Sequence, residues 1–454
     1  MSLSKDEIQK CLEILAKASE LEPNSADYLE LEQAAAYLRK TAKKKRRLQR
    51  KKLTAAKDRN LLLHTTLSDI RLSPDISQAS NPDNLSTTTP ASDDTSLLIR
   101  QRHCYACKEP YRKVHHYFHQ LCPSCGDFTL SHRADSLDLR GRRALVTGGR
   151  IKIGYAVALR LLRSGAEVHL TTRFPYDAAE RFSNESDWDS WQLRLHIYGS
   201  DFRLLGEFLQ LIAQWQTGPA FDIIINNAAQ TVWRPPAYYS RLWEREALLK
   251  RQQLTYTNKI NFLSSNIQSH TDLNDISLFP VGIKDLHGNP VDLRRENSWV
   301  QTLEDVQPIE MIESQVVNNI APFLLCSQLK ENMIQSHFDQ RFIINVSAVE
   351  GQFNRNNKPA RHPHTNMAKA ALNMLTRTSA DDYAKDNIYM VSVDPGWVSN
   401  EGPANQVEKA MIDGIHPPLE MVDAAVRILD PITQALAGQP VYGVLLKNFC
   451  EVDW

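Results

Sequence analysis

Four cysteines stand in two close pairs, Cys104-Tyr-Ala-Cys107 and Cys122-Pro-Ser-Cys125, with fourteen residues between the pairs. Each Cys-x-x-Cys turn can aim two thiolates at one ion. Four thiolates close a tetrahedral shell and leave no position for water, so the spacing predicts a structural zinc site rather than a catalytic one. Gly126 follows and is expected to let the backbone fold under the sulfurs. A redox dithiol or unpaired surface thiols are the alternatives. His103, His115, His116 and His119 lie nearby, but with four cysteines available they read as surface or packing residues. A ribbon of this size can bind nucleic acid, bind protein or brace a neighbouring domain, and the residues alone leave these open.

A second stretch, residues 143 to 154, runs from the apolar Ala144 to Val146 through Thr147-Gly148-Gly149-Arg150-Ile151-Lys152-Ile153-Gly154 into a helical pattern. Strand, tight turn and helix in that order suit a dinucleotide pyrophosphate. Small residues let backbone N–H groups approach it, and the positive end of the helix dipole faces its charge. The G-x-G-x-x-G spacing is not met, and an ordinary βα turn also carries glycines.

These residues need elements to position them. After residue 140 the pattern alternates strand and helix to the end, with strands expected at 143–148, 167–172, 193–199, 221–226, 341–347, 388–393 and 440–446. Helices are expected at 154–164, 202–216, 308–330 and 366–385. The alternation predicts an α/β, Rossmann-type doubly wound parallel sheet of about seven strands, with ligands at the carboxyl ends of the strands. Residues 231–305 interrupt it as an insertion rich in Trp, Tyr, Arg and Lys, placed just after a strand end and read as a substrate lid. Upstream, helical spacing over residues 4 to 40 predicts a helical hairpin broken near Pro23-Asn24, continuing as a basic rod from Arg39 to Lys57. The divisions are then 1–67 helical and basic, 68–98 a flexible linker, 99–135 zinc-ribbon-like, and 136–454 the dinucleotide-binding domain.

At 454 residues the chain exceeds one ordinary core, and 42% apolar with 23% charged residues suits a soluble protein. Formal net charge is zero, which argues against strong nucleic-acid binding despite the run Arg39 to Lys52, read as a solvated helix face. The apolar runs are far short of a bilayer span, so no membrane is expected. The expected setting is cytoplasmic and reducing, or nuclear if the basic run is a targeting signal.

The motifs of residues 141 to 454, taken in order, resemble the short-chain dehydrogenase/reductase superfamily. The turn Thr147 to Gly154, including Ile153, is similar to the family's T-G-x-x-x-G-x-G. Asp201 sits where an acidic residue contacts adenine, and Asn226-Asn227-Ala228-Ala229 is similar to N-N-A-G. Asn318 takes the place of the proton-relay asparagine, Ser347 of the catalytic serine and Lys369 of the lysine in Y-x-x-x-K. Pro395-Gly396-Trp397-Val398-Ser399 is similar to the element that closes over the nicotinamide. The resemblance implies hydride transfer between a dinucleotide and a small carbonyl or alcohol. It also implies dimers or tetramers built through helices 308–330 and 366–385.

Two departures change what it implies. Lys152 stands in place of the turn's middle glycine, and Thr365 in place of the tyrosine four residues before Lys369. A phenol can be tuned to work as an acid near neutral pH, whereas an aliphatic hydroxyl starts far too high. His362, His364, Lys369 itself or Tyr238 from the insertion are the candidates to replace it. The strand 167–172 leads into Arg173, with no acid where the family's NAD enzymes hold the ribose. A guanidinium there clamps a 2′-phosphate, and with Arg150 and Lys152 at the same end NADP is favoured over NAD. The reading is an NADP-dependent oxidoreductase with a non-standard proton donor and a structural zinc. The competing reading is an NADP-binding scaffold or sensor that engages a protein partner through residues 1–130.

Overall fold

The structure is a computed structural model that describes residues 3–72, 97–252, 260–262, 277–280, 282–285, 287–355 and 357–454. Its first element, α1 (Lys5–Ala18), begins at Ser4, whose hydroxyl accepts from the Glu7 N–H while the Glu7 carboxylate answers the Ser4 N–H. Such a reciprocal cap satisfies two donors that a helix start leaves unpaired. α2 (Ala26–Leu63) is capped by Ser25, so the hairpin breaks where proline and asparagine stand, and the second helix runs on past the basic run. Every Lys and Arg from Arg39 to Lys52 is exposed. α3 (Thr66–Leu72) follows. The expected linker 68–98 therefore meets helix at its start and strand at its end, and 73–96 lie outside the described residues.

β1 (Leu97–His103) and β2 (Pro110–Lys113) form an antiparallel hairpin, and α4 (Pro123–Arg133) starts directly from Cys122. This places one cysteine pair on a hairpin turn and the other on a helix start.

The main sheet begins with β3 (Arg143–Thr147), α5 (Lys152–Arg163), β4 (Glu167–Thr172), α6 (Pro175–Ser183), α7 (Trp188–Trp191), β5 (Leu195–Gly199), α8 (Leu205–Gln216) and β6 (Ile223–Asn226). The insertion contributes α9 (Pro236–Arg251) and β7 (Ile260–Phe262). Then come α10 (Pro308–Gln315), a π-helical turn (Val316–Ile320), α11 (Ala321–Ile334), β8 (Arg341–Val346), α12 (Pro363–Ala384) and β9 (Ile388–Asp394). α13 (Ala404–Ile412), α14 (Met421–Leu436), β10 (Leu445–Lys447) and β11 (Cys450–Val452) close the chain. The spatial order is β11-β10-β9-β8-β6-β3-β4-β5-β7.

The pairs are parallel except β10 with β11. The doubly wound sheet is as expected, but among the described residues it has nine strands rather than about seven. The insertion supplies an edge strand, β7, and the last strand lies at 445–447 instead of 440–446, followed by an antiparallel one. The expected single helix 308–330 is two helices joined by the π turn.

Alternation sets the two faces. Ala144, Val146, Ile223, Ile225, Phe342 and Ile344 pack with Val157 and Leu161 of α5 and Ile428 of α14. Their neighbours Leu145, Ile224 and Ile343 point the other way, onto Phe208 of α8, Leu329 of α11 and Ala380 of α12. The order reverses between β3 and β6, and the crevice of such a sheet opens at the carboxyl ends of those strands. That is where Thr147 and Asn226 stand.

The cysteine module is not a bead on a string. Leu98, Tyr111, Phe118 and Leu121 share one buried cluster with Leu62 and Leu67 from the N-terminal helices and with Val398, Leu419 and Ala424 from the sheet domain. Arg133 adds ion pairs to Glu420 and Asp423, each at 2.7 Å. Among the described residues no helix is long and apolar enough to cross a membrane.

Ile344 lies fully buried in the middle of β8. Ile344→Ala leaves a cavity at the centre of the sheet and is expected to lower stability by about 2–5 kcal/mol. Urea denaturation followed by circular dichroism measures this, and an unchanged midpoint would contradict the placement of β8 in the core.

Candidate active site

β3 ends in a hydroxyl with three partners. Thr147 Oγ1 accepts from the N–H groups of Asn227 and Ala228, both at 2.9 Å, and donates to the Ile225 carbonyl at 3.3 Å. The Asn227 side-chain amide returns hydrogen bonds to the carbonyls of Thr147 and Gly148 at 3.0 and 3.3 Å. The turn is thus sewn to the end of β6. Gly148 is left-handed at φ +70°, and a Cβ on it would lie 2.9 Å from Ala228 Cα. A Cβ on Gly154 would lie 2.2 Å from the Gly148 carbonyl oxygen, and one on Gly149 would lie 2.9 Å from Leu170 Cβ. Any side chain at these positions forces the turn apart.

Lys152, which replaces the expected middle glycine, takes the left-handed conformation such a glycine would have, with φ +53°. This costs a residue with a Cβ about 1–2 kcal/mol. Its ammonium is 2.7 Å from the Glu401 carboxylate, which Ser399 Oγ also approaches at 2.7 Å. Burial alone would raise the Glu401 carboxyl, but the Lys152 charge and these hydrogen bonds hold it below the ordinary carboxylate range. The glycine turn is thereby tied to the segment after β9, and Ile153 packs against the cluster that holds the cysteine module.

Arg173, expected to clamp the 2′-phosphate, and Arg150 and Lys152, expected to add positive charge at the same end, have different surroundings. Arg150 is buried, bonded to Asp177 at 2.7 Å and to Asn289 of the insertion at 2.9 Å, with its face over Phe174. Lys152 is bound to Glu401. Arg173 has a phenol as its partner rather than a carboxylate: its guanidinium donates to Tyr239 Oη at 3.0 Å and lies over that ring. Asp201, the expected adenine contact, is buried and bonded to the Arg203 guanidinium at 2.6 Å, which also reaches Glu313.

At the other end of the crevice, Ser347 follows β8. It is buried, and its hydroxyl donates to Asn373 Oδ1 at 2.5 Å. Lys369 Nζ donates to the Val346 carbonyl at 2.7 Å. Burial pushes the ammonium down to about 8, against the opposing pull of Glu350 and Asp394. Thr365 is one helical turn before Lys369 on α12, so the two share a face. Thr365 Oγ1 is buried and has no hydrogen-bond partner among the described residues. Asn318 sits on the π turn, where its side chain accepts from the Gln230 N–H at 2.6 Å and donates to Ser314 Oγ at 3.3 Å. Such turns recur at functional sites because they re-aim one side chain of a helix.

The other candidates to replace the family's tyrosine are spread out. His364 Nε2 is 3.4 Å from Glu310, while its Nδ1 has no partner among the described residues. His362 is left-handed at φ +42° and stacks on Trp299 of the insertion, with ring centroids 4.4 Å apart. Tyr238 is not brought to Ser347: it packs with Phe174, Leu242 and Phe279 beside the Arg173 end. The insertion is pinned over the crevice from both sides. The Asn297 side-chain amide donates to the Glu401 carbonyl at 3.0 Å, and the His362 N–H donates to the Gln301 carbonyl at 2.8 Å, while within the insertion Ser298 Oγ accepts from the Trp233 N–H at 2.7 Å.

The four cysteine sulfurs lie within 4.8 Å of one another. Cys107 Sγ and Cys122 Sγ are 3.9 Å apart, close to the roughly 3.8 Å edge of a tetrahedron with 2.3 Å zinc–sulfur bonds. Gly126 serves a different purpose from the one expected. A Cβ there would strike the His115 ring at 2.2 Å, so the glycine makes room for a packing histidine, which accepts from the Tyr117 N–H at 3.0 Å. The sequence carries no visible signal for Glu401, Trp299 or Tyr105, whose contacts span long stretches of chain. Asn373 could have been found, because it lies one helical turn beyond Lys369. A further cluster, Glu167, His169 and His196 on β4 and β5, has its ligand atoms within 4.8 Å of one another; its two rings stack in parallel at 4.4 Å, and His169 Nε2 faces both the Glu167 carboxylate at 2.8 Å and the Arg143 guanidinium at 2.9 Å.

The profile of the short chain dehydrogenase family matches residues 286–410. An uncharacterized protein of Acanthamoeba polyphaga mimivirus is 33% identical over 348 residues, covering 73% of this chain and 71% of that one. The protein named C-signal of Myxococcus xanthus is 25% identical over 156 residues, 33% of this chain and 87% of its own length. Among solved structures, the NADPH-bound carbonyl reductase from chicken fatty liver is 18% identical. It matches with a TM-score of 0.43, over 70% of this chain and 100% of that one. An NADP active-site complex from Pseudomonas aeruginosa is 19% identical with a TM-score of 0.43, over 68% of this chain and 95% of that one.

Arg150→Ala removes one of three cations around the buried Asp177 carboxylate, leaving Arg181 and Arg245, and takes the donor from Asn289 Oδ1. The loss expected is about 1–3 kcal/mol, read as a lowered denaturation midpoint. A variant as stable as the parent would show that Arg150 is not the tie between the glycine turn and the insertion.

Proposed function

The chain belongs to the short-chain dehydrogenase/reductase superfamily, and on that premise we propose that it is an NADP-dependent oxidoreductase acting on a carbonyl or alcohol, with a structural zinc ion on its four cysteines. The observation that carries this is the pairing of two halves of one crevice. A glycine turn is closed onto Asn227 and Ala228 by the Thr147 hydroxyl, and a buried ammonium, Lys369, lies beside Ser347 at the other end.

The residues fit the dinucleotide. Gly148 and Gly149 shape the turn, their N–H groups donating to the Thr171 carbonyl at 3.0 and 3.1 Å, and the N–H groups of Lys152, Ile153 and Gly154 in the first turn of α5 are the ones to assign to a pyrophosphate at the helix's positive end. Arg173 is the cation to assign to the 2′-phosphate, since Arg150 and Lys152 already have carboxylate partners. Ala228 lines the crevice beside Gly148, Pro395 to Val398 close the nicotinamide end, and Lys369 holds the ribose. When bound, NADPH supplies a hydride to a carbonyl carbon.

The chain's own task is then to hold the oxygen and give it a proton. Ser347 and Thr365 hydroxyls hydrogen-bond the oxygen. Thr365 is too weak an acid to be the proton source, but an ammonium that titrates near neutrality is well matched to the task. Lys369 gives up a proton, Thr365 passes its own to the oxygen and takes the one from Lys369, and Asn318 holds a water that returns a proton to the lysine. The insertion, pinned by Asn297 and Trp299, keeps bulk solvent out and sets which substrate enters.

The family's dimer or tetramer is proposed for this chain as well. Ile312, Ile320, Phe323, Met367 and Met374 are exposed on α10 to α12, the helices that would meet a second copy. A second reading, a scaffold that binds NADP without turnover and engages a partner protein, is favoured by one observation: Ile8, Leu12 and Leu15 form an exposed apolar stripe on α1.

Lys369 carries its proton below about pH 8 and has lost it above. Carbonyl reduction is therefore expected to fall as pH rises through 8, and alcohol oxidation to rise. Lys369→Ala should abolish both. Steady-state rates followed by NADPH absorbance across a panel of carbonyls test this, and NADPH binding without turnover on any member would favour the scaffold reading. Arg173→Ala should lower the preference for NADPH over NADH about tenfold, roughly 1.4 kcal/mol; an unchanged ratio of kcat/KM would remove Arg173 from the phosphate site.

A further inference from the structure

The residue between the first two cysteines reaches out of its own module. Tyr105 Oη accepts a hydrogen bond from the Trp397 N–H at 2.8 Å, in the loop that closes the nicotinamide end of the crevice. Its hydroxyl also stands against Gly396, which is left-handed at φ +89°; a Cβ there would lie 2.6 Å from Leu419 Cδ1 and 3.4 Å from Tyr105 Oη. The next residue but one, Val398, is buried in the cluster that contains Cys104, Tyr111, Phe118 and Leu121. The loop is therefore seated on the cysteine module by backbone, by close packing and by side chain.

Tyr105 is itself held by the metal-binding turn. Its N–H donates to the Gln120 carbonyl at 2.8 Å, and the Cys104 N–H donates to the Glu109 carbonyl at 2.9 Å. The Cys122 N–H points at Cys104 Sγ at 3.3 Å, and the Lys108 ammonium lies over the Tyr105 ring. An ion bound to the four thiolates, whose sulfurs lie within 4.8 Å of one another, would bridge the two turns and tighten this arrangement. The far end of the same loop is tied down through Ser399 and Glu401 to Lys152 in the glycine turn, each step at 2.7 Å.

We infer that Tyr105 is a positioning residue that couples the metal site to the dinucleotide site. The metal holds the tyrosine, the tyrosine holds the loop 395–401, and the loop closes on the cofactor. Metal occupancy and dinucleotide affinity are then linked, and linkage of this kind is reciprocal. The affinity part rests on the function proposed above; the ordering of the loop does not.

The test is hydrogen exchange of peptides spanning 395–401 in the full chain, for the parent, Tyr105→Phe, Tyr111→Phe and the parent stripped of zinc by a chelator. Tyr111→Phe is the matched control, since it removes a hydroxyl from the same module that bonds the His119 carbonyl instead. Tyr105→Phe should keep its zinc and its melting temperature, exchange about threefold or more faster in 395–401, and bind NADPH about 3- to 10-fold more weakly. Stripping the zinc should speed exchange there at least as much, and adding zinc back should restore it. Unchanged exchange in Tyr105→Phe, or an equal rise in Tyr111→Phe, overturns the inference, and this comparison decides even if the stripped chain unfolds. A parent that binds no NADPH but shows the exchange pattern sinks the proposed cofactor and leaves the coupling standing.

Discussion

Everything near the crevice depends on how closely two backbones approach at the end of β3. The Thr147 hydroxyl accepts from two consecutive N–H groups of the Asn227-Ala228 segment, and the space left is too small for a Cβ at Gly148 or Gly154. Hydrogen bonds of this kind are modest in water, but a buried donor left without a partner costs about 1–3 kcal/mol. The constraint is therefore one-sided: it contributes little as a net attraction and a great deal as a penalty against any other arrangement. With the turn fixed, α5 starts where it must, and its first residues point at the mouth of the crevice.

Lys152 shows how a departure from a family pattern is absorbed. Its backbone keeps the left-handed conformation that a glycine would supply, and its side chain, having nowhere to go within the turn, crosses to Glu401. The second departure is absorbed differently. Replacing a tyrosine by Thr365 leaves a small buried hydroxyl without a hydrogen-bond partner among the described residues, one helical turn from an ammonium that burial has pushed down to about 8. In the proposed reaction the acid is therefore this lysine, in place of the phenol it would otherwise tune. The dehydrated surroundings that make the lysine costly to bury are also what bring it into a useful range.

The doubly wound sheet, its two faces and the positions of Ser347 and Lys369 could be read from the sequence because they rest on local patterns: β-branched runs, helical spacing and short motifs. What escaped rests on contacts between distant stretches. In the sequence Arg150 and Arg173 are alike, two cations near one strand end, and only the fold places Asp177 and Asn289 around Arg150. Strands of three residues, such as β7 and β10, are too short for periodicity to announce, and the π turn at Asn318 has the composition of an ordinary helix. The cysteine spacing implied a metal module, but nothing in the residues said that Tyr105 would reach the loop after β9, since the pairing spans most of the sheet domain. Proximity in sequence links Gly126 to the sulfurs, whereas the His115 ring is what requires a glycine there.

The claim that the glycine turn and the Lys369 end form one NADP site is tested most directly by X-ray diffraction from crystals of the full chain grown with NADP. The account predicts a pyrophosphate over the backbone of 148–154, a 2′-phosphate within hydrogen-bond reach of Arg173, and a ribose against Lys369. Density for the dinucleotide elsewhere, or a 2′-phosphate held by other cations while Arg173 stays on Tyr239, would contradict it.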